Sequence, residues 1–324
     1  MRIYLRNQKA SVLILTLFVV FFLSVIALSI SHAMRLNTKI IGRHIHNQKT
    51  LNIAQAAVLF ALAELKLDKE DNDYDCLNDV WHKKFYNLDR IKSFKFKNSL
   101  GEESGEYKIS IQDECSRMNI NLASADFIKN LLYQLSKKDN IEIIQLIKEY
   151  RDSLCQEKLI RSVYELGKIK HMDKNIFWGE DINDNDFLDG WEDDGADSLP
   201  VDNGNSILDY GMKDYFTIFT DGKLNLNTAS AEILLSIPGI TEEAVKSIIG
   251  MRSNQPFENE DDLEDITLLS KQAKQFILRW GTVRSSLFRI VVSARADQAK
   301  NYKQIIAIAD RSYQPIKIIY WREN

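Results

Sequence analysis

The stretch SVLILTLFVVFFLSVIALSI, residues 11–30, carries no charged residue and no proline or glycine. A short leader whose charges are Arg2, Arg6 and Lys9 precedes it, and the first proline in the chain is Pro200. An apolar run of about 20 residues is long enough to cross a bilayer as a helix, and its basic flank sets the cytoplasmic end. The sequence past about residue 70 reads as soluble. The expectation is a single-pass anchor over 11–32 with the working domain on the far side of the membrane.

Two plain readings compete with this one. Ser31-His32-Ala33 is an acceptable small-x-small cleavage site for a secretory signal, which would leave a mature chain starting at Met34. An uncleaved anchor with no further role is the other. The apolar run, however, is longer than a signal core of about 7–15 residues. Helical spacing also continues beyond it through Ile40, Ile41, Ile45, Leu51, Ala54, Ala57, Val58, Ala61 and Leu62. One helix over residues 11–67 would be about 85 Å long, with its first half in lipid and its second half on a globular head.

The chain of 324 residues has room for more than one core, and a net charge of −4 gives no general attraction to nucleic acid. Cys76, Cys115 and Cys155 form no CxxC and no metal-ligand spacing. One pair is free to bridge in an oxidising compartment, and the sequence does not choose which. SFKFKN (93–98) and YKISIQ (107–112) alternate apolar and polar residues around GEESGE, which predicts a hairpin. Helical patterns follow from about Asn119 to Trp280. Three strand patterns close the chain: LFRIVVSARA, YKQIIAIAD and IKIIYWRE.

The expected fold class is therefore α+β, with a long N-terminal helix packed on an antiparallel sheet that a large helical insertion interrupts. By position, the divisions are a leader (1–10), the helix (11–67), sheet segments (68–115 and 283–324), a first helical lobe (116–180), an acidic region (181–221) and a second helical lobe (222–282).

The insertion contains a repeat. NINLAS (119–124) is echoed by NLNTAS (225–230), each followed by a helix. In the second copy IPGIT (237–241) joins two helical patterns through a tight glycine turn, a helix-hairpin-helix arrangement. Such units often bind DNA, but phosphate contacts need lysine or arginine behind the backbone amides. Residues 225–282 hold Glu232, Glu242, Glu243, Glu258, Glu260, Asp261, Asp262, Glu264 and Asp265 against Lys246, Arg252, Lys271, Lys274 and Arg279. No nucleic acid partner is expected.

Between the repeats, residues 175–212 contain no lysine or arginine and a crowd of carboxylates. A solvated linker is the ordinary reading of such a run. The spacing favours calcium instead. Asp181, Asn183, Asn185, Phe187 (through its carbonyl), Asp189 and Glu192 fall at positions 1, 3, 5, 7, 9 and 12 of an EF-hand-type loop. Position 6, usually glycine, is Asp186. A partial echo 20 residues on offers Asp202, Asn203, Asn205 and Asp209. No GxSxG, phosphate loop, dinucleotide loop or zinc motif occurs, so a non-enzyme is expected.

The leader, the long helix and the order of the downstream segments together resemble the type IV pilin and pseudopilin superfamily. Within it they are most similar to the GspK-type minor pseudopilin of the type II secretion system. The resemblance runs from the leader to the final strands. It implies cleavage by a prepilin peptidase after Ala10, a methylated Ser11 at the mature end, and two SAM-like lobes. It also implies calcium in the acidic region and a place at the pseudopilus tip beside GspI- and GspJ-like subunits. Most pilins carry Glu at the fifth mature position, where this chain has Leu15. A buried Glu is costly in lipid without a partner, and its absence suits a subunit with none above it to pair with. The implied location is the bacterial inner membrane, in contact with its lipid, with the C-terminal domain in the periplasm. NxNTA followed by PGI also resembles ComEA-type DNA-uptake receptors, the alternative reading.

Overall fold

The computed structural model describes residues 4–71, 73–87, 90–97, 99–138, 140–153, 159–195, 197 and 202–324. Helix α1 runs unbroken over Tyr4–Asp71, 68 residues and about 100 Å. It extends past both ends of the predicted 11–67, because nothing in the leader or in KLDKED stops a helix. Ala10 and Ser11 fall within its backbone, their side chains outside the described ones. Side chains from Val12 to Lys49 are almost all exposed, Leu15 among them at 65%. Burial begins at Thr50. Ile53, Ala54, Ala57, Val58, Ala61 and Leu65 then form one stripe at intervals of three and four. The alanines let the helix lie close to the sheet beneath it.

That sheet has strands β1 (Ser93–Lys97), β2 (Glu103–Asp113), β3 (Leu287–Ala296), β4 (Lys303–Asp310) and β5 (Lys317–Glu323), in the order β5-β4-β3-β2-β1 and antiparallel throughout. The predicted hairpin is β1–β2, and the three predicted terminal strands are β3–β5. Ile109, Ile111, Phe288, Ile290, Val292, Ala294, Ile305, Ala307 and Ala309 alternate onto the face that α1 covers. Each fully buried isoleucine or phenylalanine contributes about 1.5–3 kcal/mol. Thr50 Oγ1 accepts the Ala296 amide at 3.1 Å where helix meets sheet.

The chain leaves the sheet after β2 and returns at β3, and the helical insertion between them is two lobes in series. Each closes on a two-residue parallel ladder: Met118–Asn119 with Phe216–Thr217, then Leu224–Asn225 with Gly281–Thr282. The first lobe holds α2 (Ala125–Ser136), α3 (Ile141–Ser153) and α4 (Lys174–Trp178). The second holds α5 (Ala231–Leu235), α6 (Glu242–Asn254) and α7 (Lys271–Trp280).

The sequence repeat is a repeated set of bonds. Asn121 accepts the Ile160 amide at 2.9 Å and donates to its carbonyl at 3.1 Å. Asn227 does the same with Phe257 at 2.9 and 2.8 Å. Arg151 donates to the Ala123 carbonyl and Arg252 to that of Ala229. Ser124 and Ser230 each cap the helix that follows. Pro238 and Gly239, the latter at φ +76°, make the turn between α5 and α6, and Thr241 caps α6.

Cys76 and Cys115 are buried and unbridged, and Cys155 lies outside the described residues. Because Asn227 satisfies a buried amide and carbonyl at once, Asn227→Ala should cost on the order of 2–4 kcal/mol. A denaturant midpoint that does not move would remove this account of the repeat.

Candidate cation loops

The acidic excursion starts and ends at one neck. Gly179 and Gly211 lie backbone to backbone: a Cβ on Gly179 would meet the Asp209 carbonyl at 2.4 Å, and one on Gly211 the Gly179 nitrogen at 2.3 Å. Glycine is required at both for this approach. The Glu180 amide donates to the Asp209 carbonyl at 2.9 Å and seals it.

Inside the neck, the first loop is closed by hydrogen bonds from its own carboxylates and amides, and Asp181, Asp186 and Asp214 bring carboxylate oxygens within 4.8 Å of one another. Buried Asp181 accepts the amides of Asn185 (2.9 Å) and Asp186 (3.1 Å). Asn183 and Asn185 both donate to Asp189, at 2.8 and 2.9 Å. Glu192 reaches back across the loop to the amides of Ile182 and Asp189, each at 3.2 Å. Asp186, at position 6, takes φ +57°, the left-handed conformation that the usual glycine supplies. Aspartate is among the few other residues that enter that region without a large penalty. Phe187 is buried with Lys108 over its ring at 5.2 Å.

The second loop repeats this frame with two borrowed anchors. Asn203 donates to Asp209 at 2.7 Å, and Asn205 accepts the Ile207 amide at 2.7 Å. Ser206, at φ +61°, stands where Asp186 stands in the first loop. Its amide is held by Asp193 at 3.0 Å, as Asp181 holds that of Asp186. The Asp209 amide is held by Glu180 at 2.8 Å, as Glu192 holds that of Asp189. The pairs Glu180-Asp181 and Glu192-Asp193 therefore each give one carboxylate to each loop. Asp202 is not brought into this set: the Asp194, Gly195 and Gly204 amides take its carboxylate.

A third element beneath the first loop has no sequence signal. Lys213, 4% exposed, lies 2.8 Å from Asp214, 3.2 Å from Asp184 and 3.5 Å from Asp181. Asp184 also takes Arg322 and the Tyr164 hydroxyl, and its carbonyl takes Gln304, so the loop is tied to β4 and β5. Burial would raise the Asp184 pKa, but Lys213 and then the Tyr164 hydrogen bond outweigh it and hold the group ionised. Elsewhere the carboxylates exceed the cations. Burial, helped by the Asp181 charge, pushes Glu192 up to about 7. Burial and then Asp181 likewise raise Asp186, whose Oδ2 has no hydrogen-bond partner.

An all-oxygen set of carboxylates, amide oxygens and a carbonyl, short of positive charge, fits a hard divalent cation. Glu180, Asp184, Asp193 and Lys213 lay outside the sequence reading. The acidic neighbours flanking the motif were the available signal for Glu180 and Asp193, and none existed for Lys213.

Residues 220–277 match the family described as helix-hairpin-helix motif, the second lobe. The whole fold is similar to a chain in the crystal structure of the GspK-GspI-GspJ complex from the enterotoxigenic Escherichia coli type 2 secretion system. The TM-score is 0.57 at 12% identity, over 87% of this chain and 98% of that one. No curated protein sequence matches the chain. The fold is thus the GspK-like minor pseudopilin fold expected from the sequence.

Removing Lys213 leaves buried Asp181 and Asp214 without their cation, while half-buried Asp184 keeps Arg322. Lys213→Met should therefore destabilise the head by about 3–5 kcal/mol. A thermal melt unchanged from the parent would show that Lys213 is not the counterion.

Proposed function

We propose that the chain is a minor pseudopilin of a type II secretion system that assembles at the tip of the pseudopilus and acts there as a structural subunit, not an enzyme. The observation that carries this reading is the combination of a long N-terminal helix, with no acidic residue before Glu64, and a head whose sheet is split by two lobes, in a fold similar to that of a chain of the GspK-GspI-GspJ complex. Val12–Glu70 contains a window long and apolar enough to cross a membrane, and none of that window is buried in the head.

In this reading a prepilin peptidase cuts between Ala10 and Ser11, and Ser11 is methylated. The helix sits in inner-membrane lipid with the head in the periplasm. It is then extracted to pack against GspI- and GspJ-like subunits. The lobes, standing on the sheet, block addition of a further subunit, and Leu15 leaves no buried carboxylate wanting a partner there.

Calcium belongs to the same proposal. Asp181, Asn183, Asn185, the Phe187 carbonyl, Asp189 and Glu192 would hold one ion. Asn203, Asn205 and Asp209, with Asp193 and Glu180, would hold a second. Bound calcium would supply the charge the loops lack and fix the first lobe against the sheet. The DNA-uptake reading is not favoured, since Arg252 is spent on the Leu226 and Ala229 carbonyls and Lys274 on that of Glu264.

The test of the function is the mature N-terminus, read by mass spectrometry from a native membrane fraction. A chain starting at methylated Ser11 is the expected result. A start at Met34 would mean a secretory signal and end the tip-subunit reading. Calorimetric titration of the protein should show calcium binding at or below millimolar concentration, and Glu192→Gln should weaken it at least about tenfold. No heat at millimolar calcium would remove the metal from the proposal.

A further inference from the structure

Between the membrane-spanning stretch and the head, residues 33–49 form a length of α1 that is exposed apart from half-buried Gly42 and His46 and lies ahead of Thr50, the first buried residue of the helix. Arg35, Lys39, Arg43 and Lys49 lie on it, all exposed, and none makes an ion pair with any described residue. No aspartate or glutamate precedes Glu64 in the chain, so no acid on this stretch of the helix offsets them. Arg35, Lys39 and Arg43 are spaced by four and so stack along one face. Met34, Ile41 and Ile45 lie on another, turned roughly a quarter to a half turn away.

Their heights are set by the helix. At 1.5 Å per residue, Arg35, Lys39 and Arg43 stand about 8, 14 and 20 Å beyond Ile30, the end of the apolar run. A headgroup layer is about 5–8 Å deep, and a surface potential decays over a Debye length of about 8–10 Å. Helical side chains tilt toward the N-terminus, which here is toward the bilayer, and long basic side chains reach several ångströms further. Arg35 therefore sits among headgroups, and Lys39 and Arg43 reach down toward them. A translocated flank with four positive charges and no acidic partner calls for an anionic counterpart at that level.

We propose that this face of α1 is a docking surface for anionic phospholipid headgroups of the leaflet on the head's side, held through Arg35, Lys39 and Arg43 while the subunit is in the membrane. The occupant is lipid because the face continues the membrane-spanning segment without a break, places Arg35 at headgroup height and leaves Lys39 and Arg43 above it within range of the surface potential, ahead of the first residue that packs on the head. The inference rests on the membrane insertion proposed above. Its physical effect is a depth lock: drawing the helix out of the bilayer requires breaking phosphate contacts as well as exposing apolar surface.

The test uses the full chain reconstituted into phosphatidylcholine vesicles doped with spin-labelled phosphatidylcholine or phosphatidylglycerol, the motionally restricted lipid being read by electron paramagnetic resonance. Flotation of the protein with the vesicles checks insertion separately, so failure to float overturns the membrane reading itself. For the inserted parent, phosphatidylglycerol should be preferred about three- to fivefold. Arg35→Gln/Lys39→Gln/Arg43→Gln, exposed positions whose change leaves the head intact, should bring the ratio close to that of the leader charges alone. Added salt should lower the parent's ratio toward the variant's. Equal preference in parent and variant overturns the proposal. So does a parent with no lipid preference whose basic residues prove necessary only for association with an acidic protein.

Discussion

The buried carboxylate of Asp113 is the point on which the arrangement of the head depends. It ends β2, where the chain leaves the sheet, and it accepts from the Cys115 amide (2.7 Å), Ser285 Oγ (2.6 Å), Thr228 Oγ1 (2.6 Å) and Asn225 Nδ2 (3.0 Å). Those donors belong to the exit from the sheet, the return to it, and the second lobe. The same net continues through Asp75, which takes the Ser285 amide at 2.7 Å. Arg311 joins Asp75 to Asp68 at the end of α1. Burial, and then the Asp75 charge, push the Asp113 carboxyl up to about 6. A carboxylate in that position persists only because each oxygen is satisfied, and loss of a donor leaves an exposed cost of about 1–3 kcal/mol.

With exit, return and second lobe fixed at one point, a large insertion can ride on a sheet without loosening it. β2 and β3 pair along nine residues on either side of the interruption, so the sheet closes as though the lobes were absent. The first lobe is held at its closing ladder by buried Glu114, which accepts from Thr217 Oγ1 (2.6 Å) and from Arg289 of β3 (3.1 Å). It is held again through the acidic excursion, where Asp184 engages Arg322 and Gln304 of the terminal strands and Lys213 from beneath. The first acidic loop therefore lies at a joint between the first lobe and the sheet.

What could be read from the sequence was what is local. The alternation in SFKFK and in the three terminal strands is the pleat itself, and the paired NxN segments carry their own hook-and-cap geometry. The glycine turn at Pro238-Gly239 needs no tertiary context. The EF-hand spacing picked out Asp181, Asn183, Asn185, Asp189 and Glu192, whose hydrogen bonds run within one twelve-residue loop, whereas the carboxylates that come together are Asp181, Asp186 and Asp214. The second loop was harder, since two of its anchors, Glu180 and Asp193, come from the flanks of the first, and Asp202 is drawn away to amides of another turn. Lys213 was invisible for the same reason: besides adjacent Asp214, its partners Asp181 and Asp184 are about 30 residues away in sequence and come to it across the neck at Gly179 and Gly211. The extra length of α1 at both ends reflects the absence of any stop signal, which the charge change at the leader had disguised.

The distribution of charge joins these observations. Every carboxylate lies at or beyond Glu64, and residues 175–212 hold carboxylates without a basic residue. Keeping acids off the apolar stretch avoids their cost in a membrane, but it concentrates them in the head, where Lys213, Arg289, Arg311 and Arg322 pair with acids mostly from distant parts of the chain. Lys213 and Arg322 reach Asp181, Asp184 and Asp214, whereas Asp186, Asp189 and Glu192 have no ion pair among the described residues. The same segregation that leaves the apolar helix without acids thus leaves the loops with more carboxylates than cations.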